Sequence, residues 1–485
     1  MLRRTWRRCR PAVVLLAAVW LAGCATYSAK FADLRPELAA GMYDDALATI
    51  EENSGDKDRL LYYLERGLVL HFADRWQESN EAFAAAERTA DDLYTKSISE
   101  GALSLITSDN SISYRARPFE MAMVPYYKAL NYIYLGDREA ALVEGRRANL
   151  LLRKYVDATL NGLRDEDRSD LARIGNNAFM QYVSGMLYDW DGEINDAFTS
   201  YRNAAVAYQQ NKTLLRLEIP PSLARDLERV GRRLGFGAEL DHLRQTCPDV
   251  FTAAEIDAPP GAPAAAATWQ PGHGEVVVFV ELGYVPMKTQ VRFDIPIFEG
   301  EAYNDPDYWS WQIWAGMGNM QAFVRGRKIE YWVTVAAPEL QDEPGEIGGV
   351  LVDVVGQEIE VAGHKADNLL RAARVTFDAE KPTIFFKTIL RGLTKYLATR
   401  GAENAGGKWA GLAANIFGSA TETADTRSWL TLPEDIQLVR LHLPAGTYDL
   451  QVTPFDRRGR PLSPRTIAGV EVTAGEWTFL SRRLF

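Results

Sequence analysis

Cys24 is the residue whose type and position most clearly suggest chemistry. It directly follows Leu21-Ala22-Gly23, and an apolar run over residues 13–20 precedes these small residues. Five arginines stand among the first ten residues. A basic start, a short apolar core and small residues at a cleavage point form a secretory signal, here residues 1–23. Cleavage after Gly23 would leave a nucleophilic thiol at the first position of the mature chain.

This arrangement resembles the signal of bacterial lipoproteins. The resemblance implies that a diacylglyceryl group, with acyl chains such as palmitate, is attached to the sulfur of Cys24 and holds the protein at a membrane. The alternative is a transmembrane anchor followed by an ordinary thiol, but the apolar run is shorter than the roughly 20 residues that span a bilayer. Ala25, rather than an aspartate, follows the cysteine. We therefore expect an outer-membrane anchor, with the body facing the periplasm.

No other set of residues predicts catalysis. The five histidines are scattered and lack the paired spacing of a zinc site, and neither a Gly-x-Ser-x-Gly elbow nor a phosphate-binding glycine loop is present. Cys247 precedes a proline and has no basic residue beside it that would activate its thiol. We expect a protein that is not an enzyme and that needs no cofactor or metal.

A cluster of aromatic residues, 308–314, is the basis for a second hypothesis. Three tryptophans and a tyrosine alternate there with polar residues, a pattern that could stack on the sugar rings of a glycan such as peptidoglycan. The same cluster would also suit the core of a sheet or an interface.

The charge of the chain narrows the choice of partner. The formal net charge is −11, and it falls to near −16 without the five arginines of residues 1–23. An acidic chain is not expected to bind nucleic acid, and the lipid on Cys24, rather than a basic surface, would provide membrane attachment. With Cys9 removed and Cys24 acylated, Cys247 is alone, so no internal disulfide can form.

The composition changes near residue 250 and predicts an α+β protein of several domains. Apolar residues at helical spacing fill residues 24–247, and short β-branched runs fill residues 274–485. A segment rich in proline and alanine lies between them, and we expect a linker over residues 248–273.

Small residues repeat three times in the first half with gaps of 12 and 7 residues. A turn-forming residue follows the first member of each set after seven positions, and Gly41 with Ala46 form a partial unit. This pattern resembles the tetratricopeptide repeat, a helix-turn-helix unit that stacks into an α-solenoid. A plain helical bundle is the alternative. The sets are Gly67, Ser79 and Ala86; Ala129, Ala141 and Ala148; and Gly185, Ala197 and Ala204, with turns at Asp74, Gly136 and Gly192.

Such a solenoid would have a concave face formed by the first helix of each pair. We expect this face to bind a protein partner, with Tyr126 and Tyr182 as anchors, so that replacing both by alanine would weaken capture without unfolding the chain. In the alternative, extra segments of the chain, around 90–121 and 152–175, fill the groove. The predicted groove residues are Leu64, Leu68, His71, Tyr126, Leu130, Ile133, Tyr182 and Met186.

The second half is expected to form an antiparallel β-sandwich-like domain with a helical insertion over residues 366–424. Within the insertion, 383–398 and 407–420 have apolar faces that would pack on the sheet. The alternative is that residues 382–420 enter a membrane from an oligomer, which would make the chain a pore or secretion component.

Short motifs carry a resemblance over nearly the whole mature chain. They are Pro125-Tyr126-Tyr127-Lys128-Ala129-Leu130-Asn131-Tyr132 with Gly136-Asp137, Lys381-Pro382, Asp425-Thr426-Arg427-Ser428-Trp429 with Leu432-Pro433, and Arg440 with Leu443-Pro444-Ala445-Gly446. They resemble a poorly characterised family of bacterial outer-membrane lipoproteins with tetratricopeptide-like N-terminal halves. The resemblance implies a scaffold in cell-envelope assembly, in contact with an envelope protein of unknown identity. Self-association into a homo-oligomer stays open.

Overall fold

The computed structural model describes residues 26–95, 110, 112–159, 165–256, 271–298, 328–341, 344–406 and 423–485. Cys24, the aromatic cluster 308–314 and the second helix predicted for the insertion, 407–420, lie outside these residues, and so do most residues of the predicted linker.

Helices occupy the described chain up to residue 256. The first three are α1 (Tyr27–Lys30), α2 (Leu34–Ala39) and α3 (Tyr43–Asn53). Three longer pairs follow: α4 (Arg59–Phe72) with α5 (Trp76–Thr95), α6 (Pro118–Tyr134) with α7 (Arg138–Thr159), and α9 (Ala178–Asp191) with α10 (Ile194–Leu215). The others are α8 (Asp165–Gly175), α11 (Pro221–Leu234), α12 (Gly237–Thr246) and α13 (Pro248–Ile256).

The predicted turn positions lie between the paired helices and have left-handed backbone conformations. The φ angles of Gly41, Asp74, Gly136 and Gly192 are 73°, 56°, 75° and 83°. Glycine adopts this conformation without strain, whereas Asp74 must carry the cost of a Cβ atom. The turn prediction is confirmed at all four positions.

The small residues of the repeat let the paired helices approach closely. A Cβ atom added to Gly67 would stand 2.7 Å from the ring of Phe83, and one added to Gly185 would collide with the ring of Tyr201. The Ser79 hydroxyl donates a hydrogen bond of 2.7 Å to the Gly67 carbonyl oxygen. Spacing in the sequence therefore predicted real contacts between helices.

The described residues of the C-terminal half form two four-stranded sheets and a separate two-stranded sheet. The strands are β1 (His273–Leu282), β2 (Met287–Phe298), β3 (Ile329–Gln341), β4 (Ile347–Val354), β5 (Glu360–Ala362), β6 (His364–Asp367), β7 (Asp435–Pro444), β8 (Gly446–Asp456), β9 (Arg465–Val472) and β10 (Trp477–Leu484). The first sheet has the order β10-β1-β7-β6, the second has the order β5-β4-β8-β9, and β2 pairs with β3.

Strand pairing in the first sheet is mixed, which corrects the expectation of an antiparallel domain. β1 pairs with β7 in antiparallel orientation and with β10 in parallel orientation. Two parallel strands need a long connection, and nearly the whole C-terminal half of the chain separates β1 from β10. Hairpin signals in the sequence could not predict this pairing.

The first sheet is buried on both faces. Val277 and Phe279 belong to the apolar cluster of the helices, whereas Val276, Val278 and Val280 belong to a second cluster shared with the other sheet. Alternate side chains of a strand point to opposite faces. The order of layers is therefore helices, first sheet, second sheet.

Two predicted boundaries differ in the structure. Residues 248–256 of the predicted linker form α13, with Val250 buried and Asp249 paired with Lys212. In the predicted insertion 366–424, residues 364–367 form β6, and α14 (Leu369–Gly406) runs through Pro382. Tertiary packing overrode the local signals in both places. Among the described residues, no helix is both long and apolar enough to cross a membrane.

Candidate functional site

The predicted groove residues come together on the inner face of the helical layer, but they are not open to a partner. Leu64, Leu68, Tyr126, Tyr182 and Met186 are at most 1% exposed. Leu130 and His71 are buried as well, and Ile133 is partly buried against the same core. The first sheet covers this face, so the open groove of the sequence analysis is corrected. In the alternative, the extra segments 90–121 and 152–175 fill the groove; their described residues Tyr114, Phe119 and Leu171 do join the same buried core, beside the sheet.

Tyr126 and its neighbour bind a buried carboxylate of β1. The hydroxyls of Tyr126 and Tyr127 donate to the two oxygens of Glu281 at 3.0 and 2.9 Å, and Glu281 is 0% exposed. Burial raises the pKa of Glu281, although Arg483 and these hydrogen bonds oppose the shift. Burial, followed by the charge of Glu281, also raises the pKa of Tyr126. This tyrosine therefore holds the two halves of the protein together.

Tyr182 belongs to a second buried network. Its hydroxyl contacts Ser222 and Asp226, both at 2.8 Å. Arg440 of β7 donates to Asp226 at 3.0 Å and to Glu275 of β1 at 2.7 Å. Burial alone would raise the pKa of Glu275. The charge of Arg440, together with the hydrogen bonds that Glu275 receives from His442 and Arg440, instead lowers this pKa to about 2. Replacing Tyr126 and Tyr182 by alanine would therefore damage the fold, contrary to our expectation from the sequence.

Residues 424–434, which we call the groove segment, run between the helices and the sheet without regular secondary structure. Glu120 accepts the backbone N–H of Trp429 at 2.9 Å, and Glu65 accepts the N–H groups of Leu430 and Thr431 at 2.5 and 3.2 Å. Burial raises the pKa of Glu65 to about 7, although its hydrogen bonds to the groove segment oppose this shift. Two carboxylates of the inner helices thus bind the main chain of the groove segment.

Two arginines and a tryptophan fix the same segment. Arg35 donates to the Leu430 carbonyl oxygen at 2.9 Å, and Arg427 donates to the Ile112 carbonyl oxygen at 3.0 Å while pairing with Asp425. Trp429 is 0% exposed. Arg427 and Trp429 stand in a motif that carries the family resemblance, whereas Arg35 belongs to no predicted site. The signal for the segment is the density of charged and aromatic residues in a stretch without helical or strand periodicity.

An open cleft remains at one edge of the covered groove, beside β10. It has a volume of about 790 Å³ and lies between the first helices, the end of β10 and the second sheet. His71 is the predicted groove residue on its wall. Such a volume lies within the range of ligand sites. Others on the wall are Tyr43, Trp76, Tyr134, Arg465, Arg482 and Arg483.

The histidine on the cleft wall is buried and hydrogen-bonded. Burial lowers the pKa of His71 to about 4, and its Nδ1 atom lies 2.6 Å from the side-chain oxygen of Asn131. His71 is therefore neutral and held in place. Within the described ranges, no group of histidine, cysteine and acidic residues could hold a metal ion.

Comparison of the chain with family models, with curated proteins and with solved structures gave no match.

Proposed function

We propose that this chain is a lipid-anchored scaffold of the bacterial envelope, attached to the outer membrane through Cys24 and facing the periplasm, without enzymatic activity. The observation that carries the proposal is the order of residues 1–24, in which a basic start, an apolar run and Leu21-Ala22-Gly23 precede the cysteine. The resemblance to envelope lipoproteins supports a role in envelope assembly with a protein partner.

The start of the folded body agrees with a short tether. Tyr27 is only 7% exposed, and the backbone N–H of Ser28 donates to the hydroxyl of Thr426 at 3.2 Å. Thr26, the first described residue, is two positions after Cys24. Two residues of extended chain span at most about 7 Å. A lipid on Cys24 would therefore keep the body close to the membrane and restrict its orientation.

The architecture supports a scaffold more than a flexible adaptor. We interpret the three helix pairs as tetratricopeptide-like repeats of a short solenoid, and the two sheets as a sandwich that closes the concave face of the solenoid. Because that face is covered, the partner would bind elsewhere on the surface. A rigid body on a short tether would hold such a surface at a fixed height above the membrane.

The experiment compares Cys24→Ala with Cys9→Ala in cells grown with a labelled fatty acid. The wild type and the Cys9→Ala variant should incorporate the label and fractionate with the outer membrane, because residue 9 is removed with the signal. The Cys24→Ala variant should incorporate none and keep the mass of residues 1–23. Equal labelling of the two variants, or an unprocessed wild-type chain in the cytosol, would refute the anchor.

The scaffold role needs its own test. In-cell crosslinking from a photoreactive residue at position 482, on the open cleft, should capture a protein, whereas the same residue at position 355, an exposed site in the turn after β4, should not. The absence of any protein crosslink to the anchored chain would contradict the scaffold role and leave the anchor untouched.

A further inference from the structure

The open cleft lies where the next strand of the first sheet would lie. β10 is the last strand of that sheet among the described residues, and it pairs with β1 alone. Six consecutive residues at its end, 480–485, line the cleft. The helical layer and the second sheet form the two other walls. An extended peptide along β10 would continue the sheet between these walls.

Backbone hydrogen bonds show which groups of β10 face the cleft. The N–H groups of Glu275 and Gly283 donate to the carbonyl oxygens of Glu476 and Leu484, so the even-numbered residues of β10 bond to β1. The N–H and C=O groups of the odd-numbered residues therefore point to the other edge. The hydroxyl of Tyr134, on the cleft wall, already hydrogen-bonds to the backbone of Ser481, so this position of the edge is occupied. A main-chain partner would bind to the remaining odd-numbered residues of the edge, such as Arg483.

The walls of the cleft differ in chemistry. Tyr43, Phe72 and Trp76 form an aromatic wall on the helical side. The opposite wall is formed by the second sheet, and Leu480 and Leu484 of β10 face it. Alternate residues of a strand point to the same face, so Arg482 also faces the second sheet. Arg465 of β9 lies on the same wall. Both arginines are exposed. A strand with alternating apolar and acidic side chains would match the two walls.

The charge of the cleft points to an acidic ligand. Three arginines and a single carboxylate side chain, that of Asp74, line the cleft, although the whole chain carries a net charge of −11. Arg483 already pairs with the buried Glu281, whereas Arg465 and Arg482 are exposed and can attract a carboxylate.

We propose that this cleft binds an extended acidic segment of a partner protein by strand addition to β10. Main-chain hydrogen bonds would provide affinity, and the two walls would select alternating side chains. This site would define the chemistry of the protein that the proposed scaffold binds, so the inference rests on the proposed function. Its test needs neither the lipid nor a cell, so either proposal can fail without the other.

The test measures fluorescence anisotropy of a labelled, acetylated (Val-Glu)₄ peptide with the purified full-length chain in detergent. Saturable binding is expected, and a (Val-Lys)₄ peptide should bind at least about tenfold more weakly because it repels the arginines. A (Val-Glu)₄ peptide N-methylated on alternate residues keeps the charges but cannot complete one edge of a strand. It should also bind about tenfold more weakly.

Variants locate the site. Arg465→Glu with Arg482→Glu should weaken binding of (Val-Glu)₄ by about tenfold or more, since two attractions become repulsions. Arg458→Glu is the matched control, because Arg458 is exposed on the turn after β8 and does not line the cleft. Equal binding of the methylated peptide would overturn strand addition. Equal binding by the double variant would overturn the location, and no saturable binding of any peptide would overturn the proposal as a whole.

Discussion

Trp429→Ala tests whether the groove segment holds the two halves together. Trp429 is the largest fully buried side chain among the described residues. Its ring centroid lies 6.0 Å from that of Phe83, and its indole N–H donates to the Thr431 hydroxyl at 3.0 Å. Replacing a buried tryptophan by alanine costs about 3–5 kcal/mol, and the lost hydrogen bond adds about 1 kcal/mol. We expect the free energy of unfolding to fall by about 4–6 kcal/mol, a large fraction of the 5–15 kcal/mol typical of a domain.

Urea denaturation followed by circular dichroism measures the change, and amide hydrogen exchange with mass spectrometry shows where it acts. Trp332→Ala is the matched control, because Trp332 is 45% exposed, and we expect it to change stability by less than about 0.5 kcal/mol. In Trp429→Ala, exchange should speed up together in α6 and in β1. A loss below about 1 kcal/mol, or faster exchange in only one of these elements, would refute the view that the segment joins both halves.

Three further outcomes follow from the same contacts. Gly67→Ala should cost about 1–3 kcal/mol in urea denaturation because its methyl group meets the Phe83 ring, whereas Gly237→Ala, with open space around it, should be near neutral. Tyr126→Phe should lower stability by about 1–3 kcal/mol, since Glu281 loses a buried donor; an unchanged midpoint would contradict this role. The pKa of Glu65 is about 7 in the folded chain against 4.5 for the free group, so its contribution to stability is fully present below pH 4.5 and is lost as the pH rises through 7. The difference is about 3 kcal/mol, and Glu65→Gln should flatten the decline between pH 4.5 and 7; an unchanged slope would contradict the assignment.

The helical half could be predicted in detail because its signals are local. A turn needs a residue that tolerates positive φ, and a close helix contact needs a small side chain, so Gly136 and Gly185 are visible in the sequence. Strands in the second half were expected for the same reason, since short β-branched runs mark them. β5 and β6 cannot be recognised in this way because they are only three and four residues long. β9 is largely exposed, so it lacks the apolar pattern of a half-buried strand.

The candidate site could not be predicted because its contacts are remote in sequence. Glu65 meets Thr431 across 366 positions, and Tyr126 meets Glu281 across 155. No periodicity in a single sequence reports such a pairing. The apolar and aromatic residues that indicated an open groove are those that a covered groove also needs, so composition alone could not decide between a foreign ligand and the chain's own sheet.

The covered groove changes which residues can report on function. Arg440, Trp429 and Tyr126 stand in the motifs that carry the family resemblance, and the structure uses all three to hold the sheet and the groove segment against the helices. Their replacement would weaken the fold, so a loss of binding in such a variant would not locate the surface that a partner uses. Variants that separate binding from folding must therefore be exposed, and at the open cleft Arg465 and Arg482 meet that condition. A selective loss of peptide binding in these variants, with stability unchanged, would assign that binding to the cleft beside β10.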